Sequence, residues 1–234
     1  MTENDIADFK MFDKAPYEYP EPKATVEFLL RGVREEEKTY GPVFTTRFIK
    51  HSLDFLSRKI GEKPPEDIKN LDQLAEYLIS VADKYPTPYN VVPYAQPKTE
   101  SELEGQIAAG THLETMTITK TMVDKPGGED RNIDLDDVLS KLFKTTTDLK
   151  VGPNHWGYKK NEDGSVEVVF PNCPFKDGCK EAYDEGLLKR PGGRIRCSVL
   201  KVMCQYLKLV TGYDWDYERL VLYDPHCVSK CYML

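Results

Sequence analysis

Apolar positions recur along most of this chain at helical spacing, and the clearest strand-like runs come late. Over residues 23–38, Val26, Phe28, Leu29, Leu30 and Val33 gather on one side, which predicts a helix ending in a solvated charge run. Pro42 at a first helical position, the stripe Phe44, Phe48, Leu56 and Ile60, and Gly61 as a stop predict a second helix over about 42–60. Asn70, with Gln73 three residues later, caps a third over about 71–84, where Leu71, Leu74, Leu78 and Val81 share a face. Pro86, Pro88, Pro93 and Pro97 then impose an irregular connection. Beyond it lie a short helix over 100–109, a Thr- and Ile-rich strand over 115–123, and a helix capped by Asp134 with Leu135, Val138, Leu139, Leu142 and Phe143 on its buried side.

The last third is the most sharply patterned. An Asp163-Gly164 turn precedes the strand Val166–Phe170, and Gly192-Gly193 opens a helix over about 195–211 that carries Ile195, Val199, Met203, Leu207 and Val210. Gly212 ends that helix. A strand over 217–223, a turn at Asp224-Pro225 and a strand over 230–234 close the chain. The order of elements predicts an α/β (α+β) protein, an antiparallel sheet with helices. Residues 1–39 read as an N-terminal arm and helix, and 40–234 as one domain with no internal boundary evident.

Composition narrows the function classes. With 234 residues, a hydrophobic content of 40% and 30% charged residues, the chain has enough material for a core. A net charge of -7 disfavours a phosphate backbone, so no nucleic-acid partner is expected. The N-terminus carries no apolar signal core, and no apolar run approaches the ~20 residues of a membrane span. A cytoplasmic protein without a membrane partner is therefore expected. All six cysteines fall at or after Cys173, and in a reducing compartment such clustering points to metal, catalysis or packing before disulfides.

The candidate chemistry sits among those cysteines. The tail places Asp224, His226, Cys227 and Cys231 within eight residues, and thiolate and imidazole are zinc donors. The competing reading makes Cys227 and Cys231 small buried hydrophobes. Cys173 and Cys179, spaced C-x5-C, can add a second half-site to Cys227 and Cys231 in a four-cysteine zinc or iron–sulfur centre, or one can be a reactive thiolate near Lys176 or Lys180. Cys197 begins a helix, where the dipole favours a thiolate, whereas Cys204 reads as packing. Trp156 can wall an apolar pocket, with His155 hydrogen-bonding a ligand, and the favoured competing reading is a hydrophobic anchor beside a surface histidine. The basic run 189–196 is a low-specificity anion site, and a solvated turn is the favoured reading of it.

The succession of strand 166–170, Asn172-Cys173-Pro174, cysteine-led helix, Gly212, strand and cysteine hairpin ending CYML resembles the 4-vinyl-reductase-like, or hydrocarbon-binding, domain. The resemblance is clearest over 166–234. It implies the ligand-binding fold of nitric-oxide-signalling and Golgi-transport proteins, a homodimer, and a pocket for a small hydrophobic molecule. Some relatives hold a structural zinc near this hairpin through cysteines and a carboxylate. Carried over, Cys197 matches the helix-start cysteine, Cys231 the last hairpin cysteine, and Cys227 the partner between them, with Asp224, His226 or Cys173 as the fourth ligand. The hairpin spacing is shorter here than in the family, and the helix lacks the family's internal glycines. A sensing or carrying module with structural zinc is the leading expectation. The alternatives are a cysteine-dependent hydrolase of a small sulfur heterocycle and an iron–sulfur or metal-handling protein.

Overall fold

The computed structural model describes residues 6–95, 134–186, 197–221 and 226–234. The helix expected over 100–109, the strand over 115–123 and the basic run 189–196 lie outside them. The helices α1 (Pro22–Tyr40), α2 (Pro42–Ile60) and α3 (Leu71–Ser80) stand where apolar spacing places them. The Glu21 side chain accepts from the amides of Lys23 and Ala24 at the start of α1, and Asn70 Oδ1 accepts from Gln73 N at 2.9 Å at the start of α3. α3 is shorter than expected, because the chain turns at Val81 and residues 81–84 only cap it. The proline-rich connection folds into a wholly buried 3-10 helix, Pro88–Ala95, against which α1 and α2 pack.

The remaining helices are α4 (Leu135–Leu149), α5 (Lys176–Asp184) and α6 (Ser198–Thr211). One antiparallel sheet runs in the order β1-β2-β3-β5-β4 through β1 (Lys10–Met11), β2 (Gly157–Lys160), β3 (Val166–Phe170), β4 (Trp215–Val221) and β5 (Cys227–Met233). The class is α+β. Alternation puts Val166, Val168 and Phe170 on the face toward the helices, opposite Cys231, Ser229 and Cys227 of β5. Val169 and Val228 point the other way and are covered by Phe9 from the arm. The arm is thus part of the sheet. Val26, Leu29, Leu30 and Val33 of α1 share one core with the residues beyond 40, so the boundary expected at 39 does not separate two cores. Among the described residues no helix is long and apolar enough to cross a membrane.

The β2–β3 turn is tied to β5. Asp163 accepts from Lys230 Nζ at 2.8 Å and from both the amide and the hydroxyl of Ser165. The bond from Lys230, then those from Ser165, hold the Asp163 carboxyl well below the usual carboxylate range. A depressed folded pKa means that this contribution is present above about pH 4 and is lost as the pH falls further. The Asp163→Asn variant should lose that part of the acid dependence of the thermal midpoint while matching the parent's remaining profile. An unchanged acid limb would show that the turn contributes nothing there.

Candidate metal centre

Four cysteines from four separate segments line one small enclosed cavity. Cys173 comes from the turn after β3, Cys179 from α5, Cys197 from the start of α6 and Cys227 from the start of β5. Pro93, Phe170, Phe175 and Val199 supply apolar wall, and Arg219 of β4 completes the lining. No disulfide links any of the six cysteines.

Local interactions position three of the four cysteines. Cys227 is seated opposite Phe170 in the β3–β5 ladder. Cys197 is the residue before α6, and its amide donates to the Tyr217 hydroxyl of β4 at 2.9 Å. Removing that acceptor in Tyr217→Phe strands a buried donor, so a loss of about 1–3 kcal/mol in urea unfolding is expected. A variant as stable as the parent would show that Cys197 is placed by other contacts. Cys179 depends on Asn90. The Asn90 side chain donates to Pro174 O at 2.8 Å and accepts from Gly178 N at 3.0 Å, stitching the buried 3-10 helix to the first turn of α5. Arg58 and Lys59 of α2 also reach Glu181 of α5, at 2.8 and 2.7 Å.

Four buried or half-buried thiols and one guanidinium share this cavity wall and shift one another's titration. Burial pushes the Cys173 thiol up, and the neighbouring Cys179, Cys227 and Cys197 push it further. Burial opposes the Arg219 charge, yet Cys197, Cys227, Cys173 and Cys179 hold its pKa above the ordinary value. Arg219 Nε is buried with no hydrogen-bond partner, and so is the hydroxyl of Ser229, its register partner across the β4–β5 ladder. A thiolate here could accept the Arg219 N–H and offset its charge.

The expected zinc set is assembled only in part. Cys197 and Cys227 share the cavity, as the resemblance implies. Cys231 is fully buried beside Val166 and Tyr217, four residues and about 13 Å further along β5. Zinc at ~2.3 Å from each sulfur needs its thiolates about 3.8 Å apart, so Cys227 and Cys231 cannot share one ion. His226 points Nδ1 at Pro171 O, 3.4 Å away, and does not line the cavity, while Asp224 lies outside the described residues. The four-cysteine set expected from spacing alone is closer, with one exchange: Cys197 stands in the place expected for Cys231. Cys204 is buried in the core on α6.

The expected ligand pair also sits elsewhere. Trp156 is buried, edge-on to Phe12 at 4.7 Å and tilted on Phe170 at 6.2 Å, so aromatic packing fills the space where a pocket wall is expected. His155 is half-buried beside it, and burial, with Lys14 nearby, lowers its pKa. An open cleft of about 230 Å³ lies instead on the other side of Cys173, lined by Tyr19, Tyr85, Thr87, Asn172, Lys176 and Asp177 among others. Burial pushes the Tyr85 phenol up to about 12, which keeps its hydroxyl a donor at neutral pH. Among the described residues, Cys173 is the one side chain shared by the cleft and the cysteine cavity. Compared with protein-family models, with curated proteins and with solved structures, the chain matches none.

Proposed function

We propose that this chain is a metal–sulfur protein whose centre is the thiolate set Cys173, Cys179, Cys197 and Cys227, with Arg219 as its countercharge. The observation that carries this reading is the convergence of four thiols from four segments on one cavity that also contains an unpartnered buried guanidinium nitrogen. An all-sulfur donor set selects zinc or iron–sulfur chemistry over hard oxygen-seeking cations. The small-molecule role expected from the sequence fits the cleft beside Cys173 better than the filled space around Trp156. The cleft's hydroxyl, amide, ammonium and carboxylate groups suit a small polar molecule more than a hydrocarbon.

A thiol-nucleophile reading has one observation in its favour, the opening of Cys173 onto that cleft. Against it, no histidine among the described residues lines the cleft, and the Cys173 thiol is pushed away from the thiolate form. Protein purified without oxygen and passed through a sizing column should retain a stoichiometric amount of zinc or iron. Protein that carries neither, and takes up neither when reduced and supplied with them, would remove the metal-centre reading.

A further inference from the structure

We propose that Cys173 is a redox modification site, through which an oxidant of the hydrogen peroxide class converts the thiol group to an intramolecular disulfide. Five of the six cysteines are buried, and Cys173 alone is partly exposed. It sits in the turn between β3 and α5, outside both elements, so neither a helix nor a strand ladder holds it. The cleft on its outer side is open and lined by the polar groups of Tyr85, Thr87, Asn172 and Asp177, which admit water and a solute of similar size. The apolar side chains Pro93, Phe170, Phe175 and Val199 close other walls of the cysteine cavity. Among the described residues, an oxidant in the cleft therefore meets Cys173 before any other cysteine.

The second observation is what lies behind Cys173. Cys179, Cys197 and Cys227 border the same cavity, whose free space of about 10 Å³ is that of a single water molecule. The gap between Cys173 and a neighbouring thiol is thus about one water wide, and a turn residue is free to close it. Cys204 and Cys231 do not line the cavity and are packed in the core. In the first step the Cys173 sulfur attacks one peroxide oxygen and the O–O bond breaks. The departing hydroxide takes the thiol proton and leaves as water, giving a sulfenic acid. In the second step a neighbouring sulfur attacks the Cys173 sulfur, the S–S bond forms, the S–O bond breaks, and a second water carries off the neighbour's proton. Two thiols are oxidised by two electrons in all, and one peroxide is reduced to two waters. Burial keeps Cys173 largely protonated, so the first step is slow and is read at completion. Where the centre holds a metal, as proposed above, the disulfide removes two of its four ligands and releases it. The disulfide itself does not depend on that reading.

The test uses the full chain, purified without oxygen, stripped of metal, reduced, and then given one equivalent of hydrogen peroxide until reaction stops. Free thiols are counted after unfolding, and disulfides are mapped by peptide mass spectrometry. The parent should lose two thiols per chain and carry a disulfide from Cys173 to Cys179, Cys197 or Cys227, with Cys204 and Cys231 still free. Cys173→Ser should keep its five thiols, and Cys204→Ala should react like the parent. A sulfinic acid at Cys173 without a disulfide, a disulfide that omits Cys173, or a Cys173→Ser variant that loses thiols like the parent would each overturn the proposal. The parent's own peptide map decides the matter even if Cys173→Ser folds poorly. Disulfide formation in a chain that binds no metal would keep this proposal and remove the metal-centre reading. Stoichiometric metal in a chain that never forms the disulfide would do the opposite.

Discussion

The Cys227→Ser variant is expected to lose the bound metal and to unfold at a markedly lower temperature than the parent. Cys227 sits where β5 begins, pinned opposite Phe170, and its sulfur faces a cavity that α5 and α6 also reach. A metal centre there joins four segments, so its binding free energy adds directly to folding. If the group is present at about a thousand times its dissociation constant, its loss costs about 4 kcal/mol. At roughly 2–4 °C per kcal/mol for a chain of this size, the midpoint should fall by about 10 °C. Cys197→Ser should behave alike. Cys204→Ala and Cys231→Ala remove a buried sulfur from ordinary packing, so each should cost about 1 kcal/mol with metal content unchanged. Metal analysis and calorimetry on the four variants separate the two classes. Full metal content in Cys227→Ser, or its loss in Cys231→Ala, would redraw the ligand set.

The second large effect comes from a glycine. A Cβ on Gly178 would stand 1.7 Å from the carbonyl oxygen of Asn90 and 2.7 Å from its carbonyl carbon. Both atoms are backbone of a buried 3-10 helix, so they cannot rotate out of the way. In Gly178→Ala either α5 moves off that helix or the helix itself distorts. Overpacking against an immovable neighbour lies at the severe end of point substitutions, more than about 4 kcal/mol, and urea unfolding should show it. Because Gly178 precedes Cys179, the folded fraction should also have weakened metal retention. A variant that unfolds and binds metal like the parent would show that α5 can retreat without disturbing the centre.

The parts of the fold legible in the sequence are those in which one segment carries its own signal. Apolar stripes, the Pro42 start and the Asn70 and Asp134 caps locate α1 to α4, and valine-rich alternation locates β3. What escapes depends on distant contacts. α5 has only nine residues, a glycine near its start and no side-chain cap, so its local pattern reads as a turn. Its support comes from Asn90, far away in the chain, and from Glu181 meeting Arg58 and Lys59. β1 is two residues long, and the arm's pairing with β2 cannot be seen from Lys10 and Met11.

The site divides in the same way. The concentration of cysteines after residue 172 and the helix-start position of Cys197 are visible in one dimension. Which cysteines meet is not, because Cys227 and Cys231 are close in sequence but stand apart along an extended strand. Arg219 gives no warning either. Strand alternation with Tyr217 is its only signal, and a charged residue on the inward face of β4 is the kind of violation that marks a site.

X-ray absorption at the metal edge of the anaerobically purified, metal-loaded protein tests the central claim most directly, because it counts the atoms bound to the metal whatever that metal is. The account predicts a first shell of sulfur alone. Nitrogen or oxygen in that shell, from His226 or a carboxylate, would contradict the convergence of Cys173, Cys179, Cys197 and Cys227 on one centre.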